Sequence, residues 1–159
     1  MQLKRGCRGI WLVLPLIAAD RIAKQIALAS LAPHGVKTAI PGILSWAYAE
    51  NRGAAFSMMS GRGILLAALS IVLVAALVLY LIRHPEANNA LRYGFWMIIA
   101  GGIGNLYDRI AYGFVVDFIR LDFVRFAIFN PADVFICFGA ALAALSMISG
   151  DMKGKKKHG

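Results

Sequence analysis

The stretch ILLAALSIVLVAALVLYLI, residues 64–82, holds nineteen residues without a charge. A helix of this length spans about 30 Å at ~1.5 Å per residue, which matches the hydrocarbon core of a bilayer. The composition agrees, because 60% of the 159 residues are apolar, only 16% are charged and the mean hydropathy is +0.68. The sequence therefore predicts an integral membrane protein.

Three further segments have a similar length but contain more polar residues. We interpret them as additional membrane spans. The four predicted spans cover about residues 10–29, 64–82, 93–110 and 131–149. The predicted fold class is therefore an all-α membrane protein, a four-helix transmembrane bundle formed by a single integral membrane domain of residues 1–159.

Basic residues cluster beside alternate ends of these spans, and short cytoplasmic loops retain Lys and Arg. The three clusters are Lys4, Arg5 and Arg8, then Arg83 and Arg92, and finally Lys153 with Lys155, Lys156 and Lys157. We therefore expect both termini, and a tail of residues 150–159, in the cytoplasm. The connections at about 30–62 and 111–130 are then expected on the outer face.

The net charge of +9 is compatible in principle with a nucleic-acid partner. Anchoring of the inner face explains the same charges better, so we expect no nucleic acid as a partner. Membrane lipids are the expected partners, with the lysine tail close to anionic headgroups. A cleavable signal peptide over residues 1–29 is the alternative for the N-terminal segment, but Asp20, Arg21 and Lys24 interrupt it.

The outer connection between the first two spans contains a strand pattern. Leu44, Trp46 and Tyr48 alternate with smaller residues, and turn residues flank the stretch. We predict a small β-ribbon or sheet on the outer face. Its large aromatic side fits either an interfacial aromatic belt or a cradle for a substrate.

Charged residues inside the first span need partners, because a charge near mid-bilayer costs roughly 2.5 to 3.5 kcal/mol. Asp20 and Lys24 are four residues apart and share a helical face. They form either an internal ion pair that orients the span or a part of a substrate site. At the end of the third span, Asn105, Asp108 and Arg109 also share one face, which must look inward. Ala100 and Gly104 before them predict close helix packing.

Two further aspartates border the second outer connection. Asn130 and Pro131 predict a helix start at which Asp133 caps free amides. Asp117 lies within apolar neighbours, so it pairs with an arginine such as Arg109 or Arg120, or it faces a second carboxylate.

Two close carboxylates share a proton and titrate as a unit. The ionised member can then deprotonate a water while the protonated member donates to a carbonyl or leaving amide, as in aspartic proteases. Such a pair would hydrolyse a peptide bond at the membrane surface. No metal or cofactor is expected, since the histidines at 34, 84 and 158 are scattered over two sides of the membrane.

Five motifs occur in order along the chain. They are Asp20-x-x-x-Lys24, Asn51-Arg52-Gly53-Ala54-Ala55-Phe56, Gly101-Gly102-x-Gly104-Asn105-x-x-Asp108-Arg109, Val115-Val116-Asp117-Phe118 and Phe129-Asn130-x-Ala132-Asp133. With these motifs the chain resembles the lipoprotein signal peptidases, also called signal peptidase II, over most of its length. Family members often have a residue other than proline at the position of Pro131. Proline is compatible with the first turn of a helix.

The resemblance implies that Asp117 and Asp133 form the catalytic dyad. The implied supporting or substrate-binding residues are Asn51, Gly53, Asn105, Asp108, Arg109 and Asn130, with Asp20 and Lys24 in a polar core beside them. It also implies a bacterial inner-membrane enzyme with its site facing the periplasm. That enzyme would be a monomer that cleaves prolipoproteins before a diacylglyceryl cysteine and is sensitive to the cyclic peptide globomycin.

Two other classes remain as alternatives to a peptidase. A small ion- or proton-coupled transporter or channel subunit could form a proton path from Asp20, Lys24, Asp108 and Asp117. Such a path would spread acids through the membrane thickness, whereas most acids here collect at the outer span ends. A non-catalytic assembly protein would use Ala100 and Gly104 for helix contacts, but it does not explain Asp117.

Overall fold

The computed structural model describes residues 8–32, 35–53 and 63–155. Several predictions concern residues outside these ranges, namely Lys4, Arg5, His34, the Ala54-Ala55-Phe56 end of the second motif, Lys156, Lys157 and His158.

Helices occur over all four apolar segments. After a 3-10 turn at Ile10–Leu12, the helices are α1 (Val13–Ser30), α2 (Gly63–Arg83), α3 (Asn89–Tyr112) and α4 (Pro131–Lys155). By length and composition, α2 and the Pro131–Ser149 part of α4 are able to cross a membrane. The helices α1 and α3 are less apolar because both contain charged residues in their sequence. The prediction of a mostly helical protein is confirmed.

Close backbone contact between α3 and α4 depends on glycine. A Cβ atom at Gly94 would lie 2.6 Å from the carbonyl oxygen of Gly139, and one at Gly139 would lie 2.5 Å from that of Gly94. Gly101 similarly faces the carbonyl oxygen of Ala132. Close packing was predicted on α3 at Ala100 and Gly104, and Gly101, next to Ala100, makes one of these backbone contacts. A Cβ atom at Gly104 would lie 3.4 Å from the Cβ atom of Ala132 in α4, and Gly104 also leaves room for the carboxylate of Asp20.

A three-stranded antiparallel sheet follows the order β1–β2–β3. Its strands are β1 (Val36–Ile40), β2 (Leu44–Asn51) and β3 (Val115–Leu121). The predicted strand periodicity at 44–51 is confirmed as β2, and the small sheet contains two further strands. The pairing of β2 with β3 is irregular between Trp46 and Ala49, beyond which Ala49 lies opposite Asp117. Such a bulge changes the direction in which side chains of the strand point.

The sheet is attached to α1 through an apolar cluster. Ala27 and Leu31, at the end of α1, pack with Val116 and Phe118 of β3, and all four are buried. Burial of these side chains on both sides of Asp117 holds β3 against the helix ends. Asp117 of β3 therefore lies beside the start of α4, the next helix in the chain.

Candidate active site

Asp117 is buried, with 2% of its surface exposed, and its hydrogen bonds come from two asparagines. Nδ2 of Asn51 donates to Oδ2 over 2.9 Å, and Nδ2 of Asn130 donates to Oδ1 over 2.6 Å. Both oxygens of the carboxyl group are therefore held, which fixes its orientation in β3.

Neither candidate arginine forms an ion pair with Asp117 among the described residues. Nε of Arg120 lies 2.8 Å from Asp122, on the exposed side of β3. Arg109 reaches two backbone carbonyl oxygens, those of Asn105 and Gly53, each over 3.4 Å. The structure therefore contradicts a direct ion pair of Asp117 with either Arg109 or Arg120.

Asp133 and Asn130 cap the start of α4 reciprocally. Oδ1 of Asn130 accepts from the backbone N–H of Asp133 over 3.1 Å, and Oδ2 of Asp133 accepts from the backbone N–H of Asn130 over 3.2 Å. This is a capping box, with the acid at the third helical position. The predicted cap is confirmed, and it leaves Oδ1 of Asp133 available to a further donor.

The two acids meet at Asn130. Its side-chain amide donates to Asp117, while its carbonyl oxygen and backbone N–H bind Asp133. Burial raises the pKa of Asp117 to about 7, and the negative charge of Asp133 acts in the same direction. Hydrogen bonds from Asn130 and Asn51 oppose this shift, because they stabilise the ionised form. One of the two carboxyl groups is therefore readily protonated near neutral pH.

A buried polar core lies behind this pair. Nζ of Lys24 lies 3.1 Å from Asp20 and 2.8 Å from Asp108, and all three side chains are at most 1% exposed. Lys24 also donates to Oδ1 of Asn105 over 2.9 Å, and Nδ2 of Asn105 donates to Asp133 over 2.8 Å. The predicted internal pair of Asp20 and Lys24 is present, and it is linked to the site.

The two acids of this core bind the backbone directly beside the carboxylate pair. Oδ1 of Asp20 accepts from the N–H of Ala132 over 3.1 Å, one residue before Asp133. Oδ2 of Asp108 accepts from the N–H of Val116 over 3.3 Å, one residue before Asp117. The core therefore positions α4 and β3 relative to one another.

Arg21 belongs to this core, although sequence reasoning treated it only as an interruption of a signal peptide. Its Nη2 lies 2.6 Å from Oδ1 of Asp108, and its guanidinium lies over the ring of Tyr107, 4.7 Å from the ring centre. A third charge beside Asp20 and Lys24 in an apolar helix was the signal that could have identified it.

The structure connects all ten predicted site residues in one network. Asn51 links Asp117 to the backbone N–H of Gly53 over 3.0 Å, and Arg109 joins Gly53 to Asn105 through their carbonyl oxygens. The geometry places these residues together, and their individual roles stay predictions.

Two cavities adjoin the carboxyl groups. One of about 400 Å³ reaches Asp133 and Arg109, and its remaining walls are mainly apolar side chains of α4 and of residues 126–129. The other, of about 590 Å³, reaches Asp117 and is bordered by Glu50 and Arg125. Residues 126–128 border both cavities, so the carboxylate pair lies where an apolar and a more polar space meet.

The fold is one found in bacterial membrane enzymes. Two solved structures described in those words align with the chain with TM-scores of 0.84 and 0.79, at 27% and 28% sequence identity. They cover 89% and 87% of this chain, and 87% and 91% of their own chains. The class that the fold and its buried polar site define is thus a membrane enzyme.

The chain belongs to the signal peptidase II family, because the sequence profile described as "Signal peptidase (SPase) II" matches residues 12–149. A lipoprotein signal peptidase of Streptococcus pneumoniae is 38% identical over 143 residues, which are 90% of this chain and 94% of that protein. Another, from Pseudoalteromonas translucida, is 38% identical over an alignment of 161 positions that covers 98% of this chain and 95% of that protein. The resemblance seen in the sequence is confirmed, the chain is a peptidase, and the transporter alternative receives no support.

Proposed function

We propose that this chain is an aspartic endopeptidase that removes signal peptides from bacterial prolipoproteins, cutting before the cysteine that carries diacylglycerol. The observation that carries the proposal is the shared contact of Asp117 and Asp133 with Asn130. Family membership and relatives named lipoprotein signal peptidase support the substrate class.

The two carboxyl groups have different roles in this mechanism. Asp117 carries the shared proton, because burial raises its pKa to about 7. Asp133 is assigned the negative charge in this proposal, because its place at the N-terminus of α4 and its hydrogen bonds from Asn105 and the Asn130 backbone favour its ionised form.

A water between the pair gives a proton to Asp133 as its oxygen bonds to the scissile carbonyl carbon, while Asp117 donates its proton to the carbonyl oxygen. The tetrahedral intermediate then collapses. Asp133 passes its new proton to the amide nitrogen, the C–N bond breaks, and Asp117 regains its own proton from the intermediate. Both acids return to their starting states, so the cycle requires no cofactor.

Asn51 and Arg109 are proposed to hold carbonyl oxygens of the substrate. Arg109 lines the apolar cavity beside Asp133, and its two hydrogen bonds of 3.4 Å are long for a guanidinium. A side chain that donates only weak hydrogen bonds can reorient toward a substrate at a small cost in free energy. Gly53 and Asn105 then support these side chains rather than touch the reacting atoms.

The membrane arrangement is part of the proposal. Helices α1 to α4 span the bacterial inner membrane as a bundle, with both termini in the cytoplasm and the sheet and carboxylate pair at the periplasmic side. Membrane lipids surround the helices, and the apolar cavity of about 400 Å³ receives acyl or signal-peptide groups. The enzyme acts as a monomer, and globomycin binds at the carboxylate pair.

The test is cleavage of a diacylglyceryl prolipoprotein by the purified protein, compared with Asp117→Asn and Asp133→Asn. Both variants keep the side-chain size and should lose at least about 1000-fold in rate, as expected when one of two cooperating catalytic groups is removed. Asp122→Asn, on the exposed side of the sheet, is the matched control and should cleave normally.

Normal cleavage by either folded variant would refute the aspartic mechanism. Inhibition by a chelator would point to metal chemistry instead. Proton flux into liposomes without any proteolysis would restore the transporter alternative.

A further inference from the structure

The polar cavity beside Asp117 suggests how substrates are distinguished. It lies between β2, which contributes Ala49 and Glu50, and the segment that contains Arg125. The apolar cavity on the other side of residues 126–128 is walled by Ile136 and Phe138 of α4. The two cavities therefore offer different chemistry on the two sides of the carboxylate pair.

Which part of a substrate enters each cavity follows from solubility, provided that the proposed function is correct. A signal peptide and the acyl chains on the cysteine are apolar and stay in the bilayer. The chain that follows the cysteine is exported and lies in water. The polar cavity beside the sheet is therefore the one that fits the residues after the cysteine.

The charged side chains around this cavity differ in whether they already have an ion-pair partner. Glu50 is already neutralised by Arg52, whose Nη2 lies 2.7 Å from Oε2, and it also accepts from Tyr48 over 3.3 Å. Arg125 is exposed and forms no ion pair with any residue in the part of the chain that the structure describes. Asp117 is uncharged while it carries the shared proton. Among the described residues that border this cavity, Arg125 is therefore the one positive charge without an ion-pair partner.

We propose that Arg125 is a specificity-determining residue that favours substrates with an acidic side chain in the first positions after the cysteine. Arg125 borders the polar cavity, whereas Asp133, the ionised member of the carboxylate pair, borders the apolar one, so an acidic side chain in the polar cavity is attracted by Arg125. A basic side chain at the same position meets a like charge and is disfavoured.

The experiment compares three lipidated substrates that differ only in the residue after the cysteine, which is Asp, Asn or Lys. The measured quantity is the ratio of kcat/KM for the Asp substrate to that for the Lys substrate. Arg125→Gln should lower this ratio by about threefold to fivefold, the size expected for one solvent-exposed ion pair. Arg125→Glu should lower it further, and added salt should weaken the wild-type preference.

Lys37→Gln is the matched control, because Lys37 is an exposed cation of β1 that does not border the polar cavity. Its ratio should equal that of the wild type. An unchanged ratio in Arg125→Gln would overturn the proposal. An equal loss for all three substrates would also overturn it, and would indicate contact with a lipid phosphate or a structural role.

If the proposed function is wrong, the same experiment gives a different result. In that case the wild type would cleave none of the three substrates, and Arg125 would lose its assigned role together with the peptidase reaction. Cleavage that depends on Asp117 but is indifferent to Arg125 would leave the peptidase intact and reject only the role of Arg125.

Discussion

Nζ of Lys24 lies 2.9 Å from Oδ1 of Asn105, and this bond decides which end of the Asn105 amide faces Asp133. Because the amide oxygen is taken by a cation, the amide nitrogen points to Asp133 and donates over 2.8 Å. A buried charge in the first helix thereby orients a donor on the third helix toward an acid on the fourth. The polar core therefore orients groups of the site as well as joining the helices.

Removing that cation should destabilise the protein. Lys24→Met keeps the chain length but leaves Asp20 and Asp108 without the cation that lies within 3.1 Å and 2.8 Å of them. We expect a loss of about 3–5 kcal/mol in the free energy of unfolding, typical of a broken buried ion pair. Thermal or denaturant unfolding in detergent measures it. Lys37→Met, at an exposed site, should change stability by less than about 0.5 kcal/mol, and similar values for both variants would contradict the prediction.

The pH dependence of stability should reveal Asp117. Its folded pKa of about 7 lies above the unfolded value, so its contribution is complete below about pH 4 and is lost as pH rises through 7. The asparagine in Asp117→Asn does not titrate. As pH rises from 5 to 8, the unfolding temperature of the wild type should therefore fall relative to that of the variant. The control is Asp122→Asn, because the hydrogen bond from Ser45 lowers the pKa of Asp122 still further below this range, so Asp122 stays ionised throughout it. Parallel curves for Asp117→Asn and wild type would disprove the raised pKa.

The same group should set the alkaline limit of activity. In the proposed mechanism cleavage needs the proton on Asp117, so kcat/KM should fall as pH rises through about 7. Asn51→Ala removes a hydrogen bond that lowers this pKa, so the falling limb should move to higher pH even if the maximal rate drops. Arg52→Gln, at the adjacent position, should leave the limb in place. A limb that moves to lower pH in Asn51→Ala would be incompatible with the assignment.

Helix packing beside the site should be sensitive to one added methyl group. A Cβ atom at Gly101 would clash with the backbone carbonyl oxygen of Ala132, which cannot move without shifting the start of α4. Gly101→Ala should therefore cost about 1–3 kcal/mol and reduce cleavage, because Asp133 follows Ala132. At Gly102 the added atom meets only Val74 Cγ2, at 3.2 Å, so Gly102→Ala should be the milder variant. Unfolding curves and cleavage rates compare the two, and equal effects would reject the packing argument.

Several elements of the fold were predictable from local patterns. The uncharged run at 64–82 became α2, the alternation at 44–51 became β2, and Asn130 with Asp133 became the cap of α4. Each depends on residues a few positions apart, and hydrogen bonding and burial over such distances are encoded locally. The outer position of the sheet and the direction of the helices in a membrane stay predictions.

Contacts between residues far apart in the sequence were not predictable in the same way. The motifs indicated that Asp117 and Asp133 belong together, but not that Asn130 joins them or that Asn51 completes the coordination of Asp117. The contribution of Arg21 to the core was not predicted, because the residues near Arg21 in the sequence do not indicate that its partner is Asp108.

By itself the sequence determined that this protein is a mostly helical, very apolar chain with a small set of acids and amides placed where apolar residues were expected. Only the tertiary structure decided which of these groups touch. The N–H of Ala132 reaches Asp20 across 112 positions of the chain, a bond that exists because α1, α3 and α4 pack closely enough to exclude water. Packing of distant segments, rather than any local preference, therefore creates the environment in which Asp117 holds its proton.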